Sequence, residues 1–273
     1  MFSYISHIFE HVQRLTGQLH KLLGPPGSPC LTCGTRAVLS SRYSGICPRC
    51  VQQIPWIRSI RCQRCGRGVG CPDCVRPHMQ NRSFVCNRSA VQYNDLMKDW
   101  ISMYKFRGYE RYAPLLTAML TQAFQAMSEE LTLICEKETG KPLWRPDAVT
   151  YVPVSDERLA ERGFNQAERL ATELAITAGL PCVDLLQRQI NTGKQSFKSR
   201  AERFETMKHA FSIKLDEFNF SLIRNYSKPF KLLLIDDIYT TGSTLDACGH
   251  VILHAASKAG VTVEIYTLTL ARS

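Results

Sequence analysis

The chain has 273 residues, 44% hydrophobic and 21% charged, with a net charge of +10, which suits one large globular domain or two smaller ones. No apolar run reaches the roughly 18 residues of a membrane-spanning helix, and the N-terminus lacks the compact apolar core of a secretory signal. Of twelve cysteines, eight fall in four Cys-x-x-Cys pairs, which points away from secreted disulfide scaffolds and toward metal in a reducing cytoplasm.

Residues 1–24 predict one amphipathic helix, with Ile5, Ile8, Phe9, Val12, Leu15, Leu19, Leu22 and Leu23 on one face and Gly24-Pro-Pro-Gly27 ending it. Its polar face carries few strong cations, so packing on its own chain fits better than a membrane surface. Peripheral attachment to the inner face of the membrane stays open. The pairs Cys30/Cys33, Cys47/Cys50, Cys62/Cys65 and Cys71/Cys74 follow. Each pair offers two thiolates to one ion, and a tetrahedral zinc site needs two pairs. Read in sequence order, Cys30, Cys33, Cys47 and Cys50 hold one structural zinc, and Cys62, Cys65, Cys71 and Cys74 the other, with interleaved pairing as the alternative. Between Ser28 and Ala90 there are ten Arg and one acidic residue, Asp73. Two zinc ions on eight thiolates bring a charge of about −4, so this stretch stays basic. Tyr43, Trp56 and Phe84 are aromatics that suit either base stacking or a module core, and core suits Trp56 better. Cys86, Cys135, Cys182 and Cys248 stand alone and read as small apolar residues.

A strand over 83–93 opens the second domain, and 94–106 predicts a helix with Leu96, Met97, Trp100, Ile101 and Tyr104 on one face. Lys105 and Arg107 at its end suit a phosphate or the negative helix terminus equally. Residues 109–133 are mostly helical, with a break expected near Pro114. The strand 147–154 leads into Ser155, Arg158, Arg162, Asn165 and Gln166, which offer donors past a strand end, where open parallel sheets bind ligands. The stretch 185–211 is basic and turn-rich, with Lys194, Gln195 and Arg203 as candidates for a flap that closes over a polyphosphate. Leu232–Ile235 is then a short apolar strand, followed by Asp236 and Asp237, the small hydroxyl-rich loop Thr240-Thr-Gly-Ser-Thr244, and a helical run from Leu245. Strand, loop and helix N-terminus make an anion site, and two carboxylates beside it suit neighbouring ribose hydroxyls. A final strand spans 260–270.

The run from Lys231 to Thr244 resembles the phosphoribosyl pyrophosphate (PRPP) signature of type I phosphoribosyltransferases. With the zinc knuckles, Tyr104-Lys-Phe-Arg-Gly108, Val152-Pro-Val154, Arg162-Gly-Phe-Asn-Gln166, and Thr192, Gln195 and Arg203 ahead of Ala210-Phe211, the chain after residue 27 resembles the ComF family. Thr206 departs from the Asn common there. The resemblance implies an α/β fold: a type I phosphoribosyltransferase-like parallel sheet flanked by helices, behind a small Cys-rich double zinc-ribbon module. The expected divisions are 1–27, 28–82 and 83–273. It implies catalytic roles for Asp236 and Asp237 and phosphate contacts from Thr240, Thr241, Gly242, Ser243, Thr244, Ser155, Arg158 and Arg162. Mg2+ would accompany PRPP. It also implies cytoplasmic handling of single-stranded DNA during natural transformation, with a DNA-translocating helicase as a partner. An active transferase with an unidentified acceptor is the alternative.

Overall fold

The computed structural model describes residues 27–76, 81–106, 111–139, 143–189, 210–214 and 228–273. The helix expected over residues 1–24 and the flap candidates Lys194, Gln195 and Arg203 lie outside these residues. The chain divides into two compact units, Met1–Gln52 and Gln53–Ser273. The first holds a two-stranded antiparallel ribbon, β1 (Ser28–Pro29) and β2 (Arg36–Ala37), and a short helix α1 (Pro48–Gln52).

The second unit is built on a four-stranded sheet in the order β3-β8-β7-β4, with every neighbour parallel. Its strands are β3 (Asn87–Gln92), β4 (Ala148–Tyr151), β7 (Phe230–Tyr239) and β8 (Val263–Arg272). The helices are α2 (Asp95–Phe106), α3 (Tyr112–Thr139), α4 (Asp156–Arg162), α5 (Gln166–Ala178) and α6 (Ser243–Lys258). An antiparallel ribbon, β5 (Leu186–Arg188) with β6 (Phe211–Ile213), stands apart from the sheet. Side chains alternate along a strand, so Phe230, Leu232 and Leu234 face one side of the sheet and Leu233 and Ile235 the other. The first set packs with Leu245, Cys248, Ile252 and Ala256 of α6 and with Phe211 of β6. On the other face, α5 lies against β4 and β7, and α3 against β3 and β8. With helices on both faces, the central strands can be continuously apolar.

Several sequence expectations change in register. Helix α3 runs unbroken from Tyr112 to Thr139 through Pro114. Proline falls in the first turn, where its missing N–H has no intrahelical acceptor to lose. Strand β7 continues four residues beyond Ile235, since Asp236, Ile238 and Tyr239 still pair with Thr269, Ala271 and Arg272. The second cysteine segment is fastened to the sheet. Asn87 donates from its backbone N–H to the Arg64 carbonyl at 2.7 Å, and its side-chain amide donates to the Cys65 carbonyl at 3.2 Å. Arg88 donates to the Gln63 carbonyl at 2.8 Å. Gly66 makes this approach possible: its φ is 70°, and a Cβ there would lie 2.5 Å from the Asn87 carbonyl oxygen. Tyr43 and Phe84 are buried, which removes them as exposed base-stacking platforms, whereas Trp56, expected in a core, is only half-buried.

Candidate functional site

The carboxyl edge of the sheet carries a cavity of about 270 Å³. Strand β7 delivers Asp236 and Asp237 to it, the following loop delivers Thr240, the first turn of α6 delivers Thr244, and α4 delivers Arg158 and Arg162. Ser155, Thr241, Gly242 and Ser243 are not among its lining residues. Lys105 at the end of α2, which suited a phosphate or the helix terminus equally from sequence, also lines it, as do Tyr93 after β3 and Arg188 on β5. Arg188 falls within the basic, turn-rich stretch 185–211. Its position two residues past the apolar Leu185-Leu186 is the one sequence hint that a strand would hold it in place.

Because β7 runs through both aspartates, the two carboxylates see different surroundings. Asp237 forms an ion pair with Lys105. Asp236 lies on the α6 side, where its charge is felt by Cys248 and Arg188. One Asp236 oxygen, Oδ1, accepts the Asp237 backbone N–H at 2.8 Å. Asp236 has some access to the cavity but is deep among protein atoms. That loss of hydration, and next the charge of Asp237, push its pKa up to about 8.

The loop after β7 is held from two sides. Arg82 Nη2 donates to the Thr241 carbonyl at 2.7 Å, and Arg272 Nη1 donates to the Thr240 carbonyl at 3.0 Å. Gly242 has φ 77° and ψ 6°, and a Cβ on it would sit 2.3 Å from the Tyr239 hydroxyl. Glycine is therefore required both by conformation and by space. Thr241 Oγ1 and Ser243 Oγ are 2.9 Å apart, so their hydroxyls bond each other across the turn. Asp246, in the first turn of α6, anchors the helix. It pairs with Arg82 at 3.4 Å and accepts the Ser83 N–H at 2.8 Å, and Ser83 Oγ donates to its carbonyl at 2.7 Å. The N-terminal turn of α6 faces the cavity through Thr244, where the helix dipole favours an anion.

The Arg162-Gly-Phe-Asn-Gln166 break has a local cause. Gly163 closes α4 in the left-handed conformation at φ 77°. Asn165 then caps α5 by accepting the Ala167 N–H at 3.0 Å, and it donates to the Val152 carbonyl at 3.1 Å. Asn165 is thus a joint between strand β4 and helix α5. Gln166 accepts a hydrogen bond from Arg162 Nη1 at 3.0 Å and so orients that guanidinium. Burial first, and then the charge of Arg158, hold Arg162 and Arg188 below their ordinary pKa. Guanidinium groups stay charged under such a shift, so with Lys105 the cavity concentrates four cationic side chains beside two carboxylates.

The cysteines form two separate groups: Cys30, Cys33, Cys47 and Cys50, and Cys62, Cys65, Cys71 and Cys74. Within each, the four sulfurs lie within 4.8 Å of one another. Sγ–Sγ distances of 3.7 Å (Cys30–Cys50), 3.8 Å (Cys33–Cys47) and 3.5 Å (Cys65–Cys71) are close to the ~3.8 Å edge of a tetrahedron with Zn–S bonds of about 2.3 Å. Backbone N–H groups of Cys47 and Cys74 point at Cys30 Sγ and Cys71 Sγ, at 3.3 and 3.4 Å. Burial raises the pKa of Cys50 and Cys74, and neighbouring thiols raise it further. A divalent cation would relieve that crowding. Both groups can hold a metal ion and fit zinc.

A parallel sheet flanked by helices, with a strand–loop–helix anion site at its carboxyl edge, resembles the type I phosphoribosyltransferases. Among solved structures, the chain aligns with adenine phosphoribosyltransferase from Saccharomyces cerevisiae at 15% identity, covering 56% of this chain and 69% of that one with a TM-score of 0.25. It also aligns with a hypoxanthine phosphoribosyltransferase from Staphylococcus aureus at 13% identity, 56% and 74% coverage and a TM-score of 0.27. Overlaps this loose carry no further weight. In sequence, the chain is 29% identical to competence protein ComFC of Bacillus subtilis, covering 94% of this chain and 98% of that protein. It is 29% identical to competence protein ComFC of Streptococcus pneumoniae (92% and 98%) and 27% identical to DNA utilization protein YhgH of Salmonella typhi (90% and 98%). No family model matches the chain. The relatives over nine-tenths of its length are therefore ComF competence proteins and DNA utilization proteins, the family its motifs resemble.

Proposed function

We propose that the cavity binds Mg2+-PRPP, and that the protein uses this ligand while handling single-stranded DNA in the cytoplasm during natural transformation. The observation that carries the first half is the convergence of Asp236, Asp237, Thr240, Thr244, Arg158, Arg162 and Arg188 on one cavity. In this reading the 5'-phosphate lies on Thr240–Thr244 at the α6 N-terminus, and the ribose hydroxyls donate to the two aspartates. The pyrophosphate lies toward Arg158, Arg162 and Arg188, which offer forked donors to its oxygens. Lys105, paired with Asp237, orients that carboxylate. Zinc in both cysteine groups is structural, since a site closed by four thiolates leaves no position for substrate.

The DNA half rests on the relatives' names and on the arginine excess between Ser28 and Ala90. It predicts single-strand binding that weakens steeply with salt. A DNA-translocating helicase is the partner this reading carries with it. The other reading is transfer of the phosphoribosyl group to an acceptor. The same cavity favours it, because cations around a leaving pyrophosphate and carboxylates beside a cation-like ribose are what such a step requires.

Calorimetric titration with Mg2+-PRPP tests the proposal. Binding is expected, with roughly tenfold or greater loss in Arg162→Ala and Asp237→Asn, since hydrogen bonds to charged groups contribute about 1.5–3 kcal/mol. Absence of binding by the intact protein would refute it. Pyrophosphate release with a panel of bases and nucleic acids separates turnover from binding.

A further inference from the structure

Arg272, the last residue of β8, is 5% exposed and touches two places that have no neighbourhood in sequence. Its Nη1 donates to the Thr240 carbonyl at 3.0 Å, to the Tyr239 carbonyl at 3.4 Å, and to the Ser273 carbonyl. Its Nη2 points at Cys65 Sγ, 3.7 Å away. The guanidinium carbon lies 4.5 Å from the centre of the Tyr239 ring. The Tyr239 hydroxyl in turn fills the space beside Gly242, the residue that starts α6. One planar cation thus spans from a sulfur of the second cysteine group to the backbone of the anion loop.

We propose that Arg272 is a positioning residue that couples metal at Cys62, Cys65, Cys71 and Cys74 to the shape of the Thr240–Thr244 loop, so that metal and a phosphate-bearing ligand bind with positive cooperativity. The ligand half rests on the reading of the cavity given above. With metal bound, the Cys65 sulfur is held at a fixed point, within reach of Arg272 Nη2. That contact sets one end of the guanidinium plane, and the rigid fork carries the constraint to the carbonyls of Tyr239 and Thr240. Without metal, the position of the sulfur is no longer tied to three others. Arg82 holds Thr241 independently, so loss of the Arg272 contact loosens the loop without unmaking it. Coupling of this kind is reciprocal: whatever factor the metal contributes to ligand affinity, the ligand returns to metal affinity. Lysine cannot substitute, because a single ammonium on a flexible stem cannot hold both carbonyls and the sulfur in one plane.

The experiment uses the full chain as wild type, Arg272→Met and Arg272→Lys. Zinc affinity is measured by competition against a chelating dye, with and without saturating Mg2+-PRPP. Amide hydrogen exchange of residues 239–244 is followed in zinc-loaded and zinc-depleted protein without any ligand. In wild type, PRPP is expected to tighten one of the two zinc sites by about fivefold or more, and zinc is expected to slow exchange across the loop. Both effects should vanish in the two variants, with zinc at that site weakened about tenfold or more, as for other partners of metal ligands. Equal coupling in Arg272→Met, or loop exchange that ignores zinc in wild type, would overturn the proposal. If wild type binds no PRPP, the reading of the cavity fails, while the ligand-free exchange comparison still decides whether Arg272 transmits the metal's effect.

Discussion

Replacing Asp236 by Asn should make the protein more stable at neutral pH and worse at holding its ligand. Burial and the neighbouring Asp237 raise the Asp236 pKa from 3.8 to about 8. Between those values the unfolded chain has released the proton and the folded chain has kept it. The unfolded state therefore binds fewer protons, and wild-type stability falls as pH rises through that window. Four pKa units at about 1.4 kcal/mol each set a ceiling of about 6 kcal/mol. Water reaching the open cavity screens part of this, leaving an expected effect of about 2 kcal/mol. Asparagine fills the same space and has no proton to hold, so it escapes the penalty. Urea unfolding of both proteins from pH 4 to pH 9 should show the gap in favour of Asp236→Asn widening by about 2 kcal/mol up to pH 8 and then levelling. In thermal scans this corresponds to about 4–8 °C for a unit of this size. PRPP affinity should fall in the same variant. A group kept for binding at a cost to stability has this pair of opposite signs. A gap that does not change with pH would refute the reasoning, because it would mean that the carboxyl is ionised throughout.

Gly242→Ala should cost about 1–3 kcal/mol, since the left-handed backbone and the Tyr239 hydroxyl both oppose a side chain there. Unfolding midpoints check this, and an unchanged midpoint would show that the turn is not held as described. Arg88→Met should cost about 3 kcal/mol in urea unfolding. Arg88 Nε and Nη2 each reach a Glu130 oxygen at 2.6 Å, and the substitution leaves that carboxylate without its partner and the Gln63 carbonyl without its donor. Zinc analysis should find two ions per chain. Cys30→Ser and Cys62→Ser should each remove one, and a single substitution that removed both would refute the separate pairing.

The cysteine spacing, the Asp236–Asp237 pair and the Thr240–Thr244 loop were legible because each device is local. Two thiolates on one knuckle, or a strand delivering a carboxylate to a glycine-started helix, are completed within about 20 residues. Arg188 could not be placed at the cavity from sequence, because its position depends on pairing with β6, which begins 23 residues later at Phe211. Asp246, Arg82 and Arg272 left no sequence signal as a group. They meet at the loop only when β8 lies beside β7 and the start of α6 lies against Ser83. Pro114 misled for a different reason: proline breaks a helix only where an N–H is needed, and its distance from the helix start was not visible.

The sequence by itself determined four Cys-x-x-Cys pairs and a small hydroxyl-rich loop beside two carboxylates, and the structure then sorted the pairs into two groups of four. Local spacing and backbone preference are enough for the pairs and the loop. Only the tertiary structure decided which distant cations share the cavity, that the two aspartates have different neighbours, and that the second cysteine group is fastened to β3 and to Arg272. Those outcomes depend on strand order and register, which arise from burying both faces of one sheet and which no short motif encodes.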